Sequence, residues 1–148
     1  MENILELFRL HKYQDIIKLS DDYLDKSVSD NYYIILSMVI ENDIYRALSF
    51  INRSVVIKDN LDKISLGGAN FNSIATLSLS SEGYPLAKLL FIYNFVNSVY
   101  KEELSNPIKD KQSYYYIRFN EMINDLFEAQ GSIEIISELT NDSDLLLG

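Results

Sequence analysis

The chain has 148 residues, no Cys, and 22 acidic against 13 basic side chains, for a formal net charge of −9. A single domain of this length buries a core without covalent staples, and an apolar fraction of 47% is ordinary for a folded chain. The absent thiols exclude disulfides, thiolate catalysis and Cys-ligated zinc, and the acidic balance argues against a nucleic-acid backbone or an anionic membrane as the main partner, because both are bound through Lys and Arg.

The first stretch, MENILELFRLHKYQD, has early acidic residues and no basic segment ahead of an apolar one, so no secretory signal is expected. Ile4, Leu5, Phe8, Ile16, Ile17 and Leu24 recur at three- and four-residue spacings. With HKYQD between them, they predict two short helices over 3–10 and 13–25, folded as a hairpin. Asp30 and Asn31 are candidate N-caps for YYIILSMVIE. That segment is apolar nearly all round, which reads as a helix buried on several sides, although its β-branched residues also suit a strand. DIYRALSFINRSV is its expected partner. VVIKDNLDKISLGGANFN is the least regular part: VVI fits a brief extended piece, and Gly67-Gly68 a turn or a helix end.

FNSIATLSLSSEG and YPLAKLLFIYNFVNSVYKEEL predict a third hairpin, broken at Gly83, with Pro85 in the first turn of its second helix. SNPIKDKQ reads as a polar loop around Asn106-Pro107. SYYYIRFNEMINDLFEAQG and SIEIISELTND predict a fourth hairpin, in which Gly131 ends one helix and Ser132 caps the next. Residues 141–148 are expected to form a loose tail on a single domain spanning 1–148. The longest apolar runs fall far short of a bilayer span, so a soluble cytoplasmic protein is expected.

The four breaks align on Lys12, Asp43, Gly83 and Gly131. Four positions beyond each stand Ile16, Ala47, Ala87 and Ile135; five beyond stand Ile17, Leu48 and Ile136, with Lys88 interrupting the pattern in the third copy. The intervals are 31, 40 and 48 residues, against roughly 33–34 for repeats built of helix pairs, and IKDNLDK and SNPIKDKQ hold the extra length. HKYQDIIKL, NDIYRALSFI and GSIEIISEL resemble the entry to the second helix of an ankyrin repeat. EGYPLAKLLFIYNFVN is similar, including its trailing FVN. KYQDIIKLSDDYL also looks like a tetratricopeptide hairpin. The resemblance covers about the first 100 residues. It implies an all-α fold of about four helical hairpins stacked as a short, ankyrin-like α-solenoid. An irregular helical bundle is the alternative arrangement.

Candidate chemistry is sparse. His11 is the only histidine, and a zinc site or a general base would need partners beyond Asp15, one helical turn away. Asp21, Asp22 and Asp25 lie close together in SDDYLDK, and Asn141, Asp142 and Asp144 have a calcium-like order without the Gly and terminal Glu that a calcium loop needs. SLGGAN lacks the Lys-Ser/Thr of a phosphate loop. No metal or cofactor is expected. Tyrosine is the unusual residue: there are 11, with Tyr32-Tyr33 and Tyr114-Tyr115-Tyr116 adjacent, and adjacent helical residues point about 100° apart, so the three cannot share one face.

These features suit a non-enzymatic protein-interaction module, with Asp21, Asp22, Asp25, Tyr114, Tyr115 and Tyr116 as expected partner-binding residues. The narrowest expectation is an acidic immunity or inhibitor protein that neutralises a basic toxin such as a nuclease. A secretion-type chaperone or adaptor is the alternative, and a second copy of the chain is also a compatible partner. A scaffold segment of a larger assembly is a further reading. A small carboxylate-based enzyme would require Asp21, Asp22 or Asp25 to converge with Glu41 or Asp43 in one pocket.

Overall fold

The computed structural model of the chain describes residues 3–60 and 71–148, and the turn expected at Gly67-Gly68 lies outside them. The described residues form helices and no strand, as an all-α fold requires. In chain order these are α1 (Ile4–Arg9), α2 (Tyr13–Leu19), a 3-10 turn (Ser20–Tyr23), α3 (Val28–Ile40), α4 (Ile44–Arg53), α5 (Val55–Asp59), α6 (Phe71–Leu77), α7 (Tyr84–Ser105), α8 (Lys111–Glu128), α9 (Ile133–Asp144) and a closing 3-10 turn (Leu145–Leu147). None of the described helices is long and apolar enough to cross a membrane.

Three of the four hairpin breaks are built alike. In Leu10-His11-Lys12, Glu41-Asn42-Asp43 and Ala129-Gln130-Gly131 the middle residue has a φ of 57°, 59° and 69°. The N–H of that residue donates to the carbonyl three back (Phe8, Val39, Phe127), and the next N–H to the carbonyl five back (Leu7, Met38, Leu126). This is the Schellman pair of bonds, which satisfies the carbonyls at a helix end while the chain reverses. Four residues after each turn, Ile16, Ala47 and Ile135 are fully buried. A shared turn geometry sets the phase of the following helix, so the same register position meets the core each time. The third break differs. Gly83 sits at φ −85°, and a Cβ there would lie 2.1 Å from the carbonyl oxygen of Leu77, an approach that only glycine permits. Ala87 is nevertheless buried like its counterparts.

The apolar α3 lies at the centre. Its Ile34, Ile35, Leu36, Met38 and Val39 have no exposed surface, and it packs against α1, α2, α4, α5, α7 and the closing 3-10 turn. A solenoid confines each unit to its sequence neighbours. Here the end of the fourth hairpin reaches back to the second, which is the arrangement of a bundle organised around one helix.

Two local expectations give way to the packing. Ser27, not Asp30 or Asn31, caps α3, its Oγ accepting the Asp30 N–H at 3.0 Å. Asn31 is drawn inside instead. Its Nδ2 donates to the carbonyls of Tyr23 (3.1 Å) and Ser27 (3.0 Å), and its Oδ1 accepts from Ser54 Oγ at 2.7 Å. Ser54 Oγ in turn accepts the Ile57 N–H at 3.1 Å, which caps α5 and makes VVI helical, not extended. Asn31 and Ser54 are both fully buried, and their bonds tie the first 3-10 turn to α3 and α5. Nor is the C-terminal segment loose: residues 141–144 finish α9, Ser143 is fully buried and Leu146 is 3% exposed.

Candidate functional site

The residues expected to bind a partner fall in two separate places. Asp21, Asp22 and Asp25 are exposed, in or just after the 3-10 turn that packs on α2 and α3. Asp21 is held by Arg53, with an N–O distance of 2.7 Å. Tyr114, Tyr115 and Tyr116 lie on α8, which packs on α6, α7 and α9. Tyr114 and Tyr116 are half-buried. Tyr115 is 1% exposed and its ring meets Phe95 edge-on, so it is a core residue that no partner reaches. The 100° step between neighbours turns the middle ring inward and leaves the outer two at the boundary. Burial first, then Glu103, Asp43 and the nearby phenols, push the Tyr115 hydroxyl up to about 12.

The carboxylates of the enzyme reading are engaged separately. Glu41 accepts from Gln14 Nε2 at 2.9 Å, Asp43 caps α4 through the Arg46 N–H at 3.2 Å, and Asp21 pairs with Arg53. His11 is exposed in its turn, with its ring stacked on Tyr13.

A different constellation stands out, and Lys88 is its centre. The lysine that breaks the apolar stripe of the third hairpin is only 6% exposed. Its Nζ donates to Tyr33 Oη at 3.3 Å and stands 3.7 Å from Asp142 Oδ2. It also lies over the rings of Tyr32 and Tyr33, at 4.6 and 5.1 Å from their centroids, within the range of a cation–π contact. Tyr32 Oη donates to the same carboxylate oxygen at 2.5 Å. One cation, one carboxylate and two phenols therefore join α3, α7 and α9. Burial lifts the Asp142 carboxyl above the usual carboxylate range, and Lys88 and the Tyr32 hydroxyl pull it only part of the way back. The Tyr32 phenol is pushed well above its ordinary value, by burial first and by Asp142 second.

Beside this cluster is a pocket of about 130 Å³ lined by Ser29, Tyr32, Tyr33, Tyr84, Pro85, Lys88 and Glu138. Sites that enclose a metabolite span roughly 300–1,000 Å³, whereas a cavity of about 150 Å³ takes a group the size of benzene. The pocket thus has room for one side chain or a small organic group. Tyr84 is oriented at its rim by a 3.5 Å hydroxyl contact with Ser132 Oγ. Ser132, as expected, caps α9.

Comparison with protein-family models, with curated proteins and with solved structures finds no match for this chain. Its charge distribution is a second guide to function. From Phe119 to Gly148 there are seven carboxylates and no Lys or Arg. Glu121, Asp125 and Glu128 follow each other at spacings of four and three on the exposed side of α8, and Glu134, Glu138 and Asp144 are exposed on α9. Lys88 was legible in the sequence as a lone cation at a register position that is apolar in the other three hairpins. The acidic run was equally plain in the sequence, and it lies apart from the SDDYLDK cluster.

Proposed function

We propose that the chain is a non-enzymatic protein-interaction module that receives a basic protein, and that its narrowest role is that of an immunity or inhibitor protein against a basic toxin such as a nuclease. The supporting observation is the run from Phe119 to Gly148, which has no Lys or Arg and exposes its carboxylates on α8 and α9. Clustered like charges sum to a field that reaches about 8–10 Å at ordinary ionic strength. Such a field speeds encounter with a cationic surface and repels anionic ones. A row of carboxylates also offers a nuclease cleft the charge it evolved to attract from phosphates. The reading takes the chain to be cytoplasmic, and it takes the recurrent turn and buried register position as support for hairpins copied from one helix-turn-helix unit.

The test is a tagged pull-down from the native host, washed at low and high salt and read by mass spectrometry. One stoichiometric, folded, basic protein is expected, released as salt shortens the screening length and lost when Glu121, Asp125 and Glu128 are changed together to their amides. Capture of unfolded segments alone would transfer the reading to a secretion-type chaperone or adaptor. Recovery of the chain alone, or only with itself, would overturn it.

A further inference from the structure

The geometry points to the pocket between α3, α7 and α9 as a socket for a single arginine side chain of the basic partner, an inference that rests on the protein-interaction reading above. Size is the first argument. About 130 Å³ matches one long side chain and is too small for a nucleotide or a peptide turn. The walls are the second. Tyr33, Tyr84 and Pro85 are half-buried, so they present apolar and π surface at an opening that water reaches, the kind of surface over which a cation settles.

Charge selects the ligand. The Lys88 ammonium already faces the Asp142 carboxylate at 3.7 Å, and the pair cancels. What remains is Glu138, which lines the pocket from α9, is exposed and has no ion-pair partner among the described residues. Lys88, Asp142 and Glu138 together therefore carry one net negative charge, which disfavours a carboxylate or a phosphate and favours a cation. Between the two cationic side chains the structure favours arginine. Lys88 holds its own ammonium over the Tyr32 and Tyr33 rings, so a second compact ammonium would meet repulsion at short range. A guanidinium spreads its charge over a plane, is more weakly hydrated, stacks on a ring such as Tyr84 and forks onto a carboxylate such as Glu138.

The experiment titrates the full chain with Nα-acetyl-arginine methylamide and follows the tyrosine ring signals by NMR. The uncharged isostere Nα-acetyl-citrulline methylamide and the lysine analogue are run beside it. Saturable shifts of the Tyr33 and Tyr84 rings in the millimolar range are expected with the arginine probe. The lysine probe should bind at least about threefold more weakly, and citrulline should not bind. Glu138→Gln should weaken the arginine probe by about fivefold or more, while Glu121→Gln on α8 should leave it unchanged. Absence of saturation by about 50 mM, an equal response to citrulline, an equal or stronger response to lysine, or equal weakening by the two Gln variants would each overturn the socket. Glu138 is exposed, so its replacement leaves the core intact. The titration needs no protein partner. A failed socket with a successful pull-down would leave the basic-partner reading standing, and saturable arginine binding with an empty pull-down would remove the partner and keep the pocket.

Discussion

Replacing Lys88 with Met tests how far the buried cluster holds α9 against α3 and α7. The methionine keeps most of the stem and its contact with the Tyr32 and Tyr33 rings, so charge is the main thing removed. At 3.7 Å and an effective dielectric constant near 20, the attraction lost is about 4 kcal/mol. Part of that is recovered. Asp142 keeps the Tyr32 hydroxyl at 2.5 Å, 14% of its side chain stays exposed, and burial already inclines it to take a proton. The expected loss near pH 7 is therefore about 2–3 kcal/mol, just below the ~3–5 kcal/mol typical of breaking a fully buried pair. Adding Asp142→Asn removes the stranded carboxylate and leaves an amide oxygen for Tyr32, so the double variant should return to within about 1 kcal/mol of the parent. The pH dependence has a definite sign. The folded-state pKa of Asp142 lies above its ordinary 3.8, so the native state holds this proton longer than the unfolded chain does. The associated stability is complete below that ordinary value and is lost as pH rises through the raised one. Without Lys88 the carboxyl is lifted further, so the Lys88→Met penalty is greatest near neutrality and shrinks toward about pH 4. Urea unfolding followed by circular dichroism at both pH values measures it. A neutral-pH penalty under about 0.5 kcal/mol, a penalty that does not shrink in acid, or a double variant as unstable as the sum of the singles would refute the reasoning.

Phenolate absorbance during an alkaline titration should show Tyr115 ionising only near 12 and Tyr32 well above the ordinary tyrosine value; both pKa values are raised by folding, so stability falls as pH climbs above the ordinary tyrosine value, and early ionisation of all eleven tyrosines without unfolding would contradict the burial described. Asn31→Ala breaks three side-chain hydrogen bonds in a fully buried site and should cost about 2–4 kcal/mol in a chemical melt. Gln130→Gly relieves a φ of 69° and should raise stability by about 0.5–1 kcal/mol. Gly131→Ala should do the reverse by about 1–3 kcal/mol, because its Cβ would lie 2.9 Å from Leu126 Cγ; thermal melts of the pair decide whether the turn is assigned to the right residue.

The helices were legible because their signals are local. Polar runs interrupt an apolar stripe at four places, and the described structure breaks at each of them. The turn geometry was only half legible. Left-handed backbone is usually announced by Gly or Asn, and Asn42 does announce it. His11 and Gln130 do not, since the helix-end signals there fall on the neighbouring Lys12 and Gly131. Gly131 is needed for a different reason, its contact with buried Leu126. The cap of α3 was misread because Ser27, Asp30 and Asn31 all have capping side chains, and the choice among them depends on which one the core requires for Tyr23 and Ser54. The tail was expected to be loose because chain ends often are, although Ile135, Leu139, Ser143 and Leu146 keep a helical period, and all four are buried.

The pocket could not be assembled from the sequence at all, and the reason is separation. Tyr32 and Asp142 bond across 110 positions, whereas periodicity relates residues within one or two turns. A lysine at an apolar register position is therefore ambiguous: it can sit on a locally exposed helix face, or it can be buried with a partner elsewhere in the chain. Burying it unpaired would cost several kcal/mol, so the second case demands a carboxylate at hand. In this chain it is supplied by the acidic C-terminal hairpin, from a residue first noticed as part of an incomplete calcium-like run. That hairpin thus has two kinds of carboxylate. Asp142 is turned inward to neutralise Lys88, and Glu138, one helical turn earlier on α9, lines the pocket and has no ion-pair partner among the described residues. The proposed socket rests on that division: the inward charge is matched, and the outward one is left to face the guanidinium.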